Sequence, residues 1–534
     1  MSGAARTCPP LPSKPLTMPI SLLSPQRLLI PLLSTTSLLL AACSGNYDHA
    51  PSNDLTEAQL ERGLQGLQTL VPQLMERSGV PGVAVAVVWN GELRYAQGFG
   101  VRETGKPEPI TPDTVFQLAS VSKSVGATVV ATQVDAGVIT WDTPVATQLP
   151  DFLLAGGGPQ PSVGDLYAHR SGLPDHAGDQ LEDLGYDRDT ILHRLRYVPV
   201  KQLGSHYAYT NFGLTAAAQA VANAAGTEWA TLSERELYQP LGMSRSSSRF
   251  ADFIAQDNRA IGHSWQDGRY QALYQRQPDA QSPAGGVSSS ARDMARWLAL
   301  LQGMGTSAEG RKLFAPAALE PALVRQSPPG HQYGFGFNVG NDPYGQRLNS
   351  HSGAFLLGAS TVFMHWPDSA LGIVVLTNAA PSGVAEASAI SFIELVRNGS
   401  TSQDWYTVLH DQFQQEMFQP FGSLAGQTPP VTPVQPLPLE RYTGTYDNDY
   451  YGQASITLDN GTLTLSLGKQ GQSSYKLRHW DGSRFVFSLL GENAVEGSVS
   501  YLDFTVNPVG NVTGLRTEYF AEDLSGGSFI RSGY

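Results

Sequence analysis

Cysteine is almost absent: Cys8 and Cys43 are the only two in 534 residues. That excludes a disulfide framework and a thiolate metal cluster, so packing must hold the fold. Charge is also scarce, 15% of residues against about 25% in an average chain. Asp and Glu (47) outnumber Lys and Arg (34), and an acidic chain lacks the basic stripe that binds nucleic acid. The eleven histidines are dispersed and no His-Glu-x-x-His occurs, so neither a resident metal nor another cofactor is expected. No Gly-x-Ser-x-Gly elbow is found, which argues against an α/β-hydrolase. Apolar residues, by contrast, make up 41%, enough to bury a large core and exclude global disorder.

No apolar run reaches the ~20 residues that a membrane-crossing helix needs. Leu28 to Ala42 is shorter, follows Arg27 and leads into Leu40-Ala41-Ala42-Cys43-Ser44, the pattern of a secretory signal. Its end resembles a bacterial lipobox, which implies removal of residues 1–42 and lipidation of Cys43. Residues 1–17 add nothing to the signal, so Met18 is an alternative start. Residues 43–59 are mostly small and polar and read as a lipidated flexible tether. The expectation is an extracytoplasmic protein, lipid-anchored to a bacterial membrane.

From 60 to 398 helix-like and strand-like segments alternate. Gly82 to Gly100 reads as two strands around Asn90-Gly91, a strong hairpin dipeptide. Ser120 to Gly137 reads as a buried helix stopped by glycine. A span from 399 to 438 combines a helix with a Pro-rich linker, and residues 439–534 are nearly pure β signal, suggesting a small antiparallel barrel or sandwich. The fold class is therefore α+β followed by an all-β domain.

Chemistry enters at Ser120-Val121-Ser122-Lys123. Three residues along a helix put both side chains on one face, and a buried lysine can accept the serine's proton. The tetrad alone is weak, because three of the seven lysines have serine three positions earlier. Ser466 before Lys469 and Ser473 before Lys476 lie in strand-like segments, where that spacing points the side chains to opposite faces. Only Ser120 stands where a strand-like run meets a buried helix.

Two further segments follow in order, Tyr209-Thr210-Asn211 and His351-Ser352-Gly353. With Ser120 and Lys123 these resemble the three signatures of the serine β-lactamase and penicillin-binding-protein superfamily. More narrowly they resemble its β-lactamase-related hydrolases: class C β-lactamases, D-aminopeptidases, DD-peptidases and esterases. The phrases LYAHRSGLPD, QPLGMS, SPAGGVSSSARDMARWL and YGFGF support this from 60 to 398. The C-terminal part, with RYTGTYDNDYYGQASI and LRHWDGSRFVF, resembles the lipocalin-like domain of some members.

The resemblance implies an acyl-enzyme mechanism on small amides, peptides or esters, including D-amino-acid peptides and peptidoglycan fragments. Ser120 would be the nucleophile, with Lys123 and Tyr209 sharing the base role. Asn211 would bind the acyl-side amide, while Ser352 and Gly353 would line the substrate's path. His351 would help Tyr209 deliver a proton, and the N–H groups of Ser120 and Ala354 would hold the oxyanion. His351 stands where many relatives have lysine, which favours peptidase or esterase activity over β-lactam hydrolysis, since histidine near neutral pH is mostly uncharged. A β-lactamase and an idle binder of cell-wall peptides are the alternatives.

Overall fold

A computed structural model describes residues 55–533. The signal, Cys43 and most of the tether lie outside the described residues. The tether's last residues are helical instead: α1 (Glu57–Ser78) starts on a capping box between Thr56 and Gln59 and stops at Gly79, whose φ is 76°. The two reciprocal bonds satisfy backbone groups that a helix start leaves bare, so the catalytic region begins a few residues before 60.

The expected hairpin forms from β1 (Gly82–Trp89) and β2 (Glu92–Gly100). Asn90 and Gly91 both take positive φ, 52° and 77°, as a tight two-residue hairpin requires. Next along the chain come α2 (Ser122–Asp135), the short α3 (Asp179–Asp183), α4 (Asn211–Ala224) and α5 (Ala291–Gln302). Four more strands, β3 (Asn338–Asn341), β4 (Arg347–Phe355), β5 (Ala359–Trp366) and β6 (Leu371–Thr377), complete an antiparallel sheet in the order β2-β1-β6-β5-β4-β3.

Strand alternation sorts the sheet's two faces. Val83, Val85 and Val87 pack with Ile373 and Val375 beneath α1 and α6 (Val384–Asn398). Ala84, Ala86 and Val88 turn to the other face, toward α5 and the helical region carrying α2 and α4. The helix pair α1–α6 closes tightly because Gly63 leaves no room for a side chain: a Cβ there would stand 2.3 Å from Val396 Cγ2.

After α7 (Trp405–Glu416), eight strands close into a barrel. They are β7 (Gly444–Asn448), β8 (Gly452–Asp459), β9 (Thr462–Leu467), β10 (Ser473–Asp481), β11 (Arg484–Ser488), β12 (Val499–Val506), β13 (Val512–Thr517) and β14 (Ser528–Arg531). Closure removes the exposed edges that so short a β unit would otherwise present. Tyr442, Phe485 and Phe504 form its aromatic centre, with ring centroids 4.4–5.7 Å apart.

The segment between α7 and the barrel is tied to the barrel at two points, with an exposed stretch between them. Phe421 donates to Ser498 and accepts from the Val499 amide, and Val434 exchanges bonds with Asp481 and Gly482. The barrel is in turn joined to the helical region. Glu522 accepts the Gly178 and Gln180 amides at 3.2 and 2.9 Å, and the Tyr451 hydroxyl donates to Gln180 Oε1 at 2.6 Å. Among the described residues no helix is long and apolar enough to cross a membrane, and no cluster of His, Cys, Asp and Glu is arranged to hold a metal ion.

Candidate active site

Ser120 sits on a single 3-10 turn, Ala119–Val121, that feeds α2. The residue before it, Ala119, has φ 47° and is fully buried. A left-handed alanine is strained, and this one turns the chain sharply to present the serine at the start of a helix buried along most of its length. One turn on, Lys123 is 0% exposed. Its Nζ lies 3.0 Å from Ser120 Oγ, 2.7 Å from Asn211 Oδ1 and 2.9 Å from the Ala284 carbonyl. Three acceptors match the three N–H bonds of an ammonium. A neutral amine keeps two of them and turns its lone pair to the serine.

Tyr209 also reaches the serine, its hydroxyl donating to Ser120 Oγ at 2.8 Å, with the Lys123 amine over its ring, 4.6 Å from the centroid. The segment carrying Tyr209 and Asn211 is pinned at several points. The Tyr209 amide donates to Asp175 at 2.6 Å and the Thr210 amide to His169 Nδ1 at 3.1 Å, while the Tyr209 carbonyl accepts from the His176 amide at 2.8 Å. His169, φ 55° and fully buried between the rings of Tyr209 and Tyr333, serves as the peg for this loop.

The burial that orders these groups also sets their charge. Desolvation pushes Lys123 down to about 7, partly opposed by the nearby Asp179 carboxylate. Desolvation raises the Tyr209 phenol above its ordinary value, and the bond with Ser120 offsets only part of this. A base is needed near neutral pH, and of these two groups it is the lysine that can be deprotonated there.

β4 forms the facing wall. β3 pairs with it only from Arg347 to Ser350, so from His351 onward that side of the strand has no β3 partner. Gly353 lies against the nucleophile: a Cβ on it would come within 2.2 Å of the Leu118 carbonyl and 3.0 Å of the Ser120 amide nitrogen. Ala354 lines the same cleft as Ser120. Gly353→Ala should therefore push β4 from the serine and lower kcat/KM about 10²-fold, as misplacement by ~1 Å can. Steady-state kinetics beside a thermal melt would separate this from unfolding.

Two expected side chains behave differently from the sequence reading. Ser352 alternates to the other face of β4, where its hydroxyl meets Glu386 of α6, so its side chain is directed away from the cleft. His351 Nδ1 donates to the Ser352 carbonyl at 2.6 Å, which fixes Nε2 as the acceptor of the Tyr333 hydroxyl at 2.9 Å. Its ring centroid is 6.5 Å from that of Tyr209, and Tyr333 rather than Tyr209 holds its imidazole. Burial, reinforced by Lys123, pushes His351 down to about 3, leaving it uncharged at neutral pH.

The cleft also holds residues that sequence reasoning missed. His176, Asp179, Arg276 and Gln281 line it, as do Glu492 and Asn493 from the barrel loop between β11 and β12. Glu492 accepts the amides of Leu356 and Leu357 at 3.0 and 3.2 Å, just beyond Ala354. No local pattern marks these positions. Of the residues that support the site, His169 and Asp175 lie in the LYAHRSGLPD phrase and Tyr333 in the YGFGF phrase.

With this geometry in hand, the profile of the Beta-lactamase family matches residues 67–397, and a domain of unknown function (DUF3471) matches residues 428–527. The chain is 28% identical over 383 residues to esterase EstB of Burkholderia gladioli, covering 62% of this chain and 94% of that one. It is 24% identical over 461 residues to an unguisins hydrolase of Aspergillus violaceofuscus, covering 77% and 78%. The fold also matches the solved structure of an octameric penicillin-binding protein homologue from Pyrococcus abyssi, with a TM-score of 0.57 at 18% identity over 88% of this chain and 99% of that one.

Proposed function

The chain belongs to the beta-lactamase family, and from that membership and the cleft we propose a serine hydrolase that works through an acyl-enzyme on small amides, peptides or esters. The observation that carries the reading is the triangle of Lys123, Ser120 and Tyr209, with Oγ at 3.0 Å from the amine and 2.8 Å from the phenol.

In this reading the neutral Lys123 takes the Ser120 proton as Oγ bonds to the substrate's carbonyl carbon. The carbonyl oxygen becomes an oxyanion held by the N–H groups of Ser120 and Ala354, worth about 10²–10³ in rate per donor. As the carbon–nitrogen or carbon–oxygen bond breaks, the proton passes from Lys123 through Tyr209 to the leaving group. Water, activated by the same amine, then releases the acid and restores Ser120. Asn211, held by Lys123 and Asp179, has a second amide hydrogen for the acyl-side carbonyl.

Relatives named as an esterase, EstB, and as an unguisins hydrolase support a hydrolase in general. Efficient β-lactam hydrolysis is the second reading. The uncharged His351 disfavours it, because that wall offers no cation for a β-lactam carboxylate. The test is a fluorophosphonate probe with peptide mapping, beside kinetics on a chromogenic cephalosporin, a D-alanyl amide and a nitrophenyl ester. Labelling at Ser120 with turnover of amide or ester is expected. Absence of labelling would sink the enzymatic reading, and cephalosporin as the preferred substrate would replace it with the second.

A further inference from the structure

Asp179 stands at the cleft with half of its hydrogen-bonding capacity unused. It is 5% exposed and lines the same cavity as Ser120 and Asn211. Its Oδ2 accepts from His176 Nδ1 at 2.7 Å and from Asn211 Nδ2 at 2.9 Å, while the buried Oδ1 has no partner. Leaving a buried carboxylate oxygen bare is costly, and a cation supplied by a ligand would relieve it.

The cations already in the cleft are committed elsewhere. Lys123 spends its donors on Ser120, Asn211 and Ala284, and Arg276 pairs with Glu182. The opposite wall carries the neutral His351. The cleft is thus lined by a carboxylate with one buried, unpartnered oxygen, and its remaining basic side chain, His176, is held on that same carboxylate. Its position is chemically specific, because Asn211 bridges Asp179 to Lys123 beside the nucleophile. A group bound at Asp179 would sit on the acyl side, close to the carbonyl under attack.

We infer that Asp179 forms a subsite for a protonated amino group on the acyl part of the substrate. The favoured substrates are amides, esters or peptides of an amino acid whose own amine is free. This inference rests on the serine-hydrolase reading and narrows its substrate class.

The test compares the 4-nitrophenyl esters of alanine, N-acetylalanine and lactate, with both enantiomers of each. The last two keep the shape near the carbonyl but remove the charge. The wild-type protein is expected to prefer the free-amino ester by about tenfold or more in kcat/KM, the worth of a hydrogen bond between charged groups. In Asp179→Asn that ratio should fall to near unity, whatever common loss follows from disturbing Asn211. As a check that needs no variant, alaninamide should inhibit wild-type hydrolysis of a neutral ester about tenfold more tightly than N-acetylalaninamide. Equal inhibition, a wild-type ratio near one, or a preference that survives in Asp179→Asn would each overturn the subsite. The broader reading stands or falls separately, on whether neutral esters are turned over through Ser120 at all.

Discussion

Ser120→Ala is expected to lower kcat by about 10⁴-fold or more on any substrate the protein hydrolyses, with little change in KM. In the proposed mechanism the substitution deletes the atom that bonds to the carbonyl carbon and leaves the binding surface in place. What remains is the polarising effect of the oxyanion donors. Stability should change little, since a single hydroxyl is replaced by hydrogen, although the Lys123 and Tyr209 donors each lose an acceptor. The matched control is Ser466→Ala, the decoy with the same Ser-x-x-Lys spacing. Ser466 stands on β9 opposite Ser474 of β10, and Lys469 pairs with Asp187 at 2.8 Å, so this variant should keep full activity. Chromogenic-ester kinetics on the two variants decides the matter. Activity that persists in Ser120→Ala would place the nucleophile elsewhere.

Lys123→Ala should cost about 10²–10⁴-fold, the usual worth of a positioned base, and should also reshape the pH profile. Burial disfavours the ammonium and moves Lys123 down to about 7. The amine is therefore charged and inactive below that pH and neutral and competent above it. Wild-type kcat/KM should rise as pH passes through 7 and then level off. In Lys123→Ala the residual rate should lose that acid limb. Lys123→Arg should not rescue, because a guanidinium stays protonated throughout this range. A limb near 7 that survives in Lys123→Ala would assign it to another group, such as the buried Glu182, which burial pushes up to about 7.

The parts of the site legible in the sequence were those built from local rules. Asn90-Gly91 announces its hairpin because both residues must take positive φ. Ser120 and Lys123 can be paired because helical spacing alone brings them together. Strand period also puts Ser352 on the face opposite His351 and Gly353, so its direction away from the cleft followed from a rule already in hand. The placement of Asp179 and Glu492 was illegible for a different reason. Each reaches the cleft by tertiary packing, Glu492 from more than a hundred residues beyond the last family signature. The Pro-rich segment before the barrel shows a related limit. Its composition signals a lack of helix and strand, which leaves open the contacts that Phe421 and Val434 make.

Those contacts bear on how the two halves of the chain work together. Glu492 grips the backbone at Leu356 and Leu357, two and three residues past Ala354, the proposed oxyanion donor, and Glu522 grips it at Gly178 and Gln180, on either side of Asp179. The C-terminal module therefore braces both walls of the cleft and supplies part of its lining, like a clamp across an open vice. Cutting it away would leave four amides to find their acceptors in water.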